Sequence, residues 1–248
     1  LHDVYGWSDI EDKRPMERDS VFCVRSMTKP FIGASIMMLV EEGKIELDAP
    51  AYMYLPVLDA DPYRMITVRH LLHHLAGFPM SLIQSTDLKA IKSIQEVAAL
   101  GVQNDLIFPP GIKFRYSDHG TDTLTALLEA VSGMPAEDFV RTRLLEPLGM
   151  QDSIGFLPDG HPLHARAASK YIGGPGSWSR YWKADDASIF PIFLGSQSMY
   201  STLPDYARFA QLFLHGGKVG EQTLLSQASI DAILSPGPFP MNGPTGLP

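Results

Sequence analysis

Cysteine is almost absent from this chain of 248 residues. Cys23 is the only one, so no disulfide can form within the chain, and a zinc site built from several thiolates is excluded. Long apolar runs are absent too: the longest, 31–40, is far shorter than a bilayer span. No basic, apolar leader opens the sequence. We therefore expect a soluble domain without a membrane span. The compartment stays open, because a leader can be removed during maturation.

Positive charge is also scarce, and several site signatures are missing. The 20 Lys and Arg residues are scattered against 28 Asp and Glu residues, which excludes nucleic acid as a partner. No Gly-x-Ser-x-Gly segment occurs, so an α/β-hydrolase nucleophile turn is excluded. His70 and His74 share a predicted helix face, but no acidic neighbour or third ligand accompanies them. We interpret them as helix-end packing and expect no metal and no cofactor.

The chain does contain a series of well-marked helices after short strands. β-Branched and aromatic residues at 4–7 and 20–25 predict strands. The segment 27–42 is apolar on nearly every face, with Pro30 in its first turn and Gly43 as its stop, and this predicts a helix buried inside the protein. Later helices are predicted from their first residues, at Thr67, Ser93, Pro135 and Pro204.

Ser26 and Lys29 lie where the second predicted strand opens into the buried helix. Serine is a poor nucleophile near neutral pH unless a group takes its proton, and a lysine one helical turn later lies on the same face. A Ser-x-x-Lys pattern is common by chance in a chain with twenty serines and nine lysines. The position strengthens the signal, because free N–H groups at a helix start stabilise an oxyanion. A simple helix N-cap is the alternative interpretation of Ser26.

Two long loops carry further candidates. The loop 108–120 contains Tyr116, which can act as general base or relay beside a deprotonated lysine, although a lone aromatic residue in a loop more often packs. The loop 171–201 is too long and too aromatic for a simple connection. Its candidate walls of an apolar substrate pocket are Trp178, Tyr181 and Trp182.

Several segments together resemble a known family. They are "SMTK", "VRHLLHHLAGFP", "YSD", "LLEAVSGMPAEDFVRTRLLEPLGMQDS" and "MYSTLPDYARFAQLFLHGGKVGEQTLLS". The set is similar to serine β-lactamase-related hydrolases, the group of class C β-lactamases, D-aminopeptidases and family VIII esterases. The resemblance covers nearly all of residues 5–234. It implies that Ser26 is the nucleophile, Lys29 its activating amine and Tyr116 the base.

The resemblance also implies a fold, of the β-lactamase/transpeptidase type in the α/β class. An antiparallel sheet flanked by helices would receive a mostly helical inserted domain. On this pattern residues 1–50 and 190–248 belong to the sheet domain, and residues 51–189 form the helical domain. The active site is expected between the two.

The third motif of the family, Lys-Thr-Gly or His-x-Gly on a late strand, has no convincing match. "HGG" and "KVG" at 215–220 follow a predicted helix, where a glycine stop is expected. Residues 235–248 hold five prolines, which disfavours strands. We therefore expect the C-terminal strands of the family beyond residue 248, and a buried helix that lacks part of its apolar cover.

Asp118 stands where the family has an asparagine that donates to a substrate carbonyl. An ionised carboxylate only accepts hydrogen bonds, and one near Lys29 favours the protonated amine. With Asp118 at this substrate-binding position, we expect hydrolysis of short-chain carboxylic esters through an acyl-enzyme on Ser26. Hydrolysis of β-lactams or D-amino peptides is the alternative, and a catalytically silent scaffold is a third interpretation. The expected partner is a small ester or β-lactam, and the oligomeric state stays open.

Overall fold

The computed structural model describes residues 2–83 and 87–237. Within these residues lie seven α-helices: α1 (Lys29–Glu41), α2 (Val68–Leu72), α3 (Ile94–Gly101), α4 (Asp118–Ser132), α5 (Ala136–Val140), α6 (Leu203–Leu214) and α7 (Gln227–Leu234). A π-helical turn, Arg141–Leu145, continues α5. No helix in this part of the chain has both the length and the apolarity that crossing a bilayer requires.

Four antiparallel strand pairs accompany the helices in the described ranges. The pairs are β1 (Trp7–Asp9) with β2 (Arg14–Pro15), β3 (Phe22–Cys23) with β6 (Tyr200–Ser201), β4 (Lys170–Ile172) with β5 (Ser179–Trp182), and β7 (Lys218–Val219) with β8 (Gln222–Thr223). Only β3 and β6 are distant in sequence. Their pairing places the segment before α1 against the segment before α6.

The predicted strands are shorter in the structure. The run 4–7 contributes only Trp7 to β1, because Gly6 has a φ of +74° and interrupts the extended backbone. The run 20–25 forms β3 over two residues, since a 3-10 turn begins at Arg25. The mixed α/β class is confirmed, but no described sheet exceeds two strands. The division into two domains stays a prediction, and β4 and β5 lie inside the range predicted as helical.

α1 lies at the centre of the main hydrophobic core. Eight of its thirteen residues are buried, among them Phe31, whose ring stacks on Phe209 of α6 at a centroid distance of 3.7 Å. The helix stops at Gly43, whose φ of +69° suits a left-handed end. The prediction of a buried helix is confirmed. Pro30 is exposed and Gly33 partly exposed, so the expected loss of apolar cover is limited to a narrow stripe.

Side chains cap the helices near the predicted positions. Thr67 accepts the N–H of His70, and the His70 ring accepts the N–H of Thr67 at 3.3 Å, which places His70 in the cap of α2. Ser93 caps α3 by accepting a backbone N–H, and Thr202 caps α6. Pro135 precedes α5 as predicted. These local signals position the helices that carry the site.

The segment after α6 is a turn. Gly216 and Gly217 have φ values of +62° and +83°, and β7 follows at once. The interpretation of "HGG" as a helix stop is confirmed. In "KVG", Lys218 and Val219 instead form β7, and Gly220 lies in the turn that joins β7 to β8. Of the proline-rich end, residues 235–237 form no helix or strand, and residues 238–248 lie outside the described residues.

Candidate active site

Ser26 lies in a 3-10 turn, Arg25–Thr28, that leads directly into α1. Arg25 has a φ of +52°, a left-handed conformation that is uncommon outside glycine. Thr28 holds this turn: its Oγ1 donates to the Arg25 carbonyl at 2.7 Å and accepts the Met199 N–H at 3.2 Å. Ser26 is exposed. Its N–H belongs to the first turn, where such groups have no partner inside the helix.

Lys29 lies beside Ser26, and only 12% of its side chain is exposed. Its Nζ is 3.4 Å from Ser26 Oγ, 2.6 Å from Asp118 Oδ1 and 2.8 Å from the Ser196 carbonyl oxygen. A protonated amine has three N–H groups, and here each group has one acceptor. The surroundings therefore match the ammonium form of Lys29.

Tyr116 approaches Ser26 from the loop before α4. Its Oη lies 2.7 Å from Ser26 Oγ, and Lys29 Nζ lies 4.6 Å from its ring centroid. His74 supports this loop, because its Nδ1 accepts the N–H of Ser117 at 3.2 Å. Burial, aided by the nearby Lys29 charge, lowers the pKa of His74 to about 4. The ring is therefore neutral near pH 7, and Nδ1 can accept the hydrogen bond.

Asp118 is the first residue of α4 and forms the ion pair with Lys29 that its sequence position suggested. Ser117 is the N-cap and accepts the N–H of Gly120 at 3.0 Å. The first turn of a helix favours a carboxylate, because free N–H groups and the helix dipole both attract negative charge. One Asp118 oxygen is thus committed to Lys29, and neither can donate to a substrate.

A second carboxylate, Asp122, was not recognised from the sequence. It lies one turn after Asp118 on α4, is only 1% exposed, and accepts the backbone N–H and the hydroxyl of Ser196, both at 3.0 Å. Burial is the main cause that raises the pKa of Asp122 to about 7; Asp118 raises it further, and Ser196 and Lys29 oppose this. Asp122 therefore fixes the position of Ser196, whose carbonyl oxygen accepts a hydrogen bond from Lys29. In the sequence, the only indication of this second site carboxyl was the spacing of Asp118 and Asp122 by four residues, about one helical turn.

Gly195 allows the Ser196 segment to lie close to two helices. A Cβ at residue 195 would overlap Thr125 of α4 and Ile32 of α1. Since no side chain larger than hydrogen fits, glycine is required for this close approach. The carbonyl of Ser196 reaches Lys29 only because the backbone comes this near.

The three aromatic residues predicted as pocket walls take different places. Trp178 is 53% exposed and Tyr181 is 47% exposed, and Tyr181 Oη accepts from the Arg25 guanidinium at 3.1 Å. Trp182 is 3% exposed, and its Nε1 donates to the Ala187 carbonyl. Because successive strand residues point to opposite faces, the Trp182 side chain lies on the face opposite to that of Tyr181. There it packs in a small hydrophobic core with Val21, Leu157, Leu163, Ala167 and Tyr200. Trp182 is therefore a core residue, and the pocket-wall prediction is kept for Trp178 and Tyr181.

A separate cleft of about 610 Å³ opens beside Lys29. It follows the exposed stripe of α1 and is lined there by Pro30, Gly33 and Met37, with Ile233 of α7 facing them. None of the predicted aromatic wall residues lines it. The cleft and the surface around Tyr181 are therefore different features.

A sequence model of the family described as Beta-lactamase matches residues 1–247. The chain therefore belongs to the Beta-lactamase family, which consists of serine hydrolases and includes esterases, β-lactamases and D-alanyl-D-alanine carboxypeptidases. The resemblance stated from the sequence is confirmed.

Curated relatives carry different activities in their names. Esterase EstB from Burkholderia gladioli is 27% identical over 258 residues, which cover 82% of this chain and 64% of the relative. Beta-lactamase from Escherichia coli (strain K12) is 25% identical over 222 residues, with coverages of 89% and 55%. Penicillin-binding protein 4* from Bacillus subtilis (strain 168) is 30% identical over 157 residues, with coverages of 61% and 34%. The chain thus spans between 34% and 64% of the length of these relatives.

Solved structures confirm the β-lactamase/transpeptidase-like fold. A penicillin binding protein from Bacillus halodurans superimposes with a TM-score of 0.76 at 24% identity, covering 93% of this chain and 68% of that protein. D-amino acid amidase from Ochrobactrum anthropi SV3 gives a TM-score of 0.74 at 26% identity, with coverages of 91% and 63%.

The buried carboxyl of Asp122 leads to a prediction about pH. Its folded pKa of about 7 exceeds the value of about 4 for an unfolded aspartate. The folded state therefore keeps a proton that the unfolded state loses, and this group lowers the free energy of unfolding as pH rises from about 4 to 7. In Asp122→Asn the amide can bind Ser196 without charge. We expect the variant to gain stability relative to wild type across that pH range, measured by urea unfolding.

Asp105→Asn is the matched control, because Asp105 is exposed. Its stability difference from wild type should stay flat with pH. Contributions from the neutral histidines, whose sign is opposite, cancel when variant and wild type are subtracted. A difference for Asp122→Asn that does not change between pH 4 and pH 8 would contradict the assignment.

Proposed function

We propose that this protein is a serine hydrolase that forms an acyl-enzyme on Ser26 and acts on carboxylic esters of short acids. The supporting observation is the convergence of two side chains on one oxygen: Tyr116 Oη and Lys29 Nζ lie 2.7 Å and 3.4 Å from Ser26 Oγ. The alternative role as a helix N-cap gains no support, since Val24 and Thr28 occupy the N-cap positions of the two helical segments.

The proposed reaction begins with Tyr116 as the phenolate, which takes the proton of Ser26 as Oγ attacks the ester carbonyl carbon. The Lys29 ammonium stabilises the negative charge while it passes from Tyr116 Oη through Ser26 Oγ to the substrate. The carbonyl oxygen of the substrate becomes an oxyanion that the Ser26 N–H binds. The alcohol leaves with the proton from Tyr116. Water then attacks the acyl-enzyme, Tyr116 takes its proton, and Ser26 recovers that proton as the acid is released.

Asp118 favours esters over amides and β-lactams. A carboxylate paired with Lys29 at 2.6 Å offers no N–H to a substrate carbonyl, whereas an asparagine would. Esters also need less help with their leaving group than amides do. The second candidate, hydrolysis of β-lactams or D-amino peptides, is favoured by the similarity to Escherichia coli Beta-lactamase and to the D-amino acid amidase.

The nucleophile is tested with the protein in its natural full length. A fluorophosphonate probe should label wild type at Ser26, and a p-nitrophenyl ester of a short acid should be hydrolysed. Ser26→Ala should lose both the label and the turnover, while Ser235→Ala, at an exposed serine, should keep both. Unlabelled wild type would favour the silent scaffold, and undiminished turnover in Ser26→Ala would remove Ser26 from the mechanism.

Tyr116→Phe and Lys29→Ala address proton transfer. A positioned base typically contributes about 10² or more to the rate, so each variant should lower kcat for the ester by about that factor or more. Tyr54→Phe is the matched control, because its hydroxyl binds the Glu46 N–H and touches no site residue. If the rate of Tyr116→Phe stays within about twofold of wild type, the tyrosine only packs against the site.

Asp118→Asn tests the choice of substrate. The variant restores a side-chain donor, so we expect turnover of a chromogenic β-lactam to rise relative to ester turnover, by about tenfold if the amide reaches the carbonyl. Asp105→Asn should leave the ratio of the two rates unchanged. An unchanged ratio in Asp118→Asn would show that residue 118 does not face the substrate.

A further inference from the structure

Arg25 directly precedes Ser26 and has an unfavourable backbone conformation. Its φ of +52° is matched, among the described non-glycine residues, only by Lys13 and His74. Glycine takes such a φ freely, whereas a residue with a Cβ does so at a cost. Strain of this kind persists where the surrounding structure holds it, and it concentrates at functional sites. An arginine at this position therefore indicates a role for its side chain that glycine could not serve.

The guanidinium of Arg25 is held in place but not neutralised. Nη2 donates to Tyr181 Oη at 3.1 Å, Nη1 donates to Gln197 Oε1 at 3.4 Å, and the group lies 5.6 Å from the ring centroid of Phe190. None of these partners carries a negative charge. Across the ranges that the structure describes, Arg25 forms no ion pair. A guanidinium has five N–H groups, so donors remain for a ligand.

One anchor of Arg25, Gln197, adjoins the residues around Ser26 in the chain, because it follows Ser196, whose carbonyl accepts from Lys29. The other anchor, Tyr181, is one of the exposed aromatic residues predicted to line the substrate pocket. Arg25 itself is exposed and adjoins the nucleophile in the chain. A fixed, unpaired cation is thus carried by the residue that directly precedes Ser26 and is held against the segment that follows Ser196.

We propose that Arg25 is a specificity residue that binds a carboxylate of the substrate, so that the preferred esters carry a free carboxylate beside the scissile ester. Arginine suits this role because its planar fork binds carboxylates in two parallel hydrogen bonds. The inference rests on the proposed ester hydrolysis and narrows its substrate class.

Two matched ester pairs test the proposal in the full-length protein. Mono-p-nitrophenyl adipate and p-nitrophenyl hexanoate differ by a carboxylate on the acyl side, and 4-carboxyphenyl acetate and 4-carbamoylphenyl acetate differ by a carboxylate on the alcohol side. Wild type should prefer the anionic member of at least one pair in kcat/KM. Arg25→Gly, whose backbone suits the observed φ, should lower that preference by about tenfold or more. Arg25→Lys should retain part of it.

Lys13→Gly is the matched control, since it removes one positive charge at a left-handed φ of +49° in the β1–β2 turn. It should leave the preference unchanged. Equal loss for both members of each pair in Arg25→Gly, or no preference in wild type, would overturn the inference.

A protein without esterase activity is still informative. Binding of two amide analogues, adipic acid mono-4-nitroanilide for the acyl side and 4-acetamidobenzoic acid for the alcohol side, is followed by tryptophan fluorescence and does not require turnover. Binding that wild type shows and Arg25→Gly loses would keep the carboxylate site while the proposed ester hydrolysis fails. Equal binding by both proteins, or by neither, would overturn the carboxylate site itself.

Discussion

The ammonium of Lys29 is the group on which the site depends. It is nearly buried, and a buried charge without partners is strongly destabilising. Asp118 and the Ser196 carbonyl provide these partners, so one cation joins α1, α4 and the segment before β6. Ser26 and Tyr116 are then placed around this cation. The geometry of the proposed catalytic site and the stability of the surrounding core therefore depend on the same contacts.

Two aspartates one turn apart on α4 support this cation in different ways. Asp118 accepts directly from Lys29, at a helix start that favours negative charge. Asp122 lies deeper, where burial raises its pKa to about 7, and it binds Ser196 instead of the cation. The two carboxyl groups thus differ in partner and in burial: Asp118 binds the cation, and Asp122 binds the residue whose carbonyl oxygen accepts from that cation. An asparagine at position 118, which the family resemblance implies, would leave the Lys29 charge without this ion pair.

The features recognised from the sequence are those that neighbouring residues specify. The all-round apolar segment before Gly43 predicted a buried helix, and Thr67 and Ser93 predicted helix starts, because each signal acts within a few residues. Ser26 and Lys29 lie three residues apart, so a single turn already places them on one face. The exposed Tyr181 and the buried Trp182 show what such local signals cannot predict. Their aromatic character was plain, but the face that each occupies depends on the strand that carries them.

Contacts between distant residues could not be inferred in this way. Lys29 and Asp118 are 89 residues apart, and Lys29 and Ser196 are 167 residues apart. The role of Asp122, the need for Gly195 and the anchoring of Arg25 by Gln197 all depend on such pairings. Local propensities and the family resemblance were enough to identify the helices, the nucleophile candidate and its lysine. The charged partners of Lys29, the burial of Asp122 and the anchoring of Arg25 were decided by packing, because electrostatic interactions and burial depend on distance in space and not on separation along the chain.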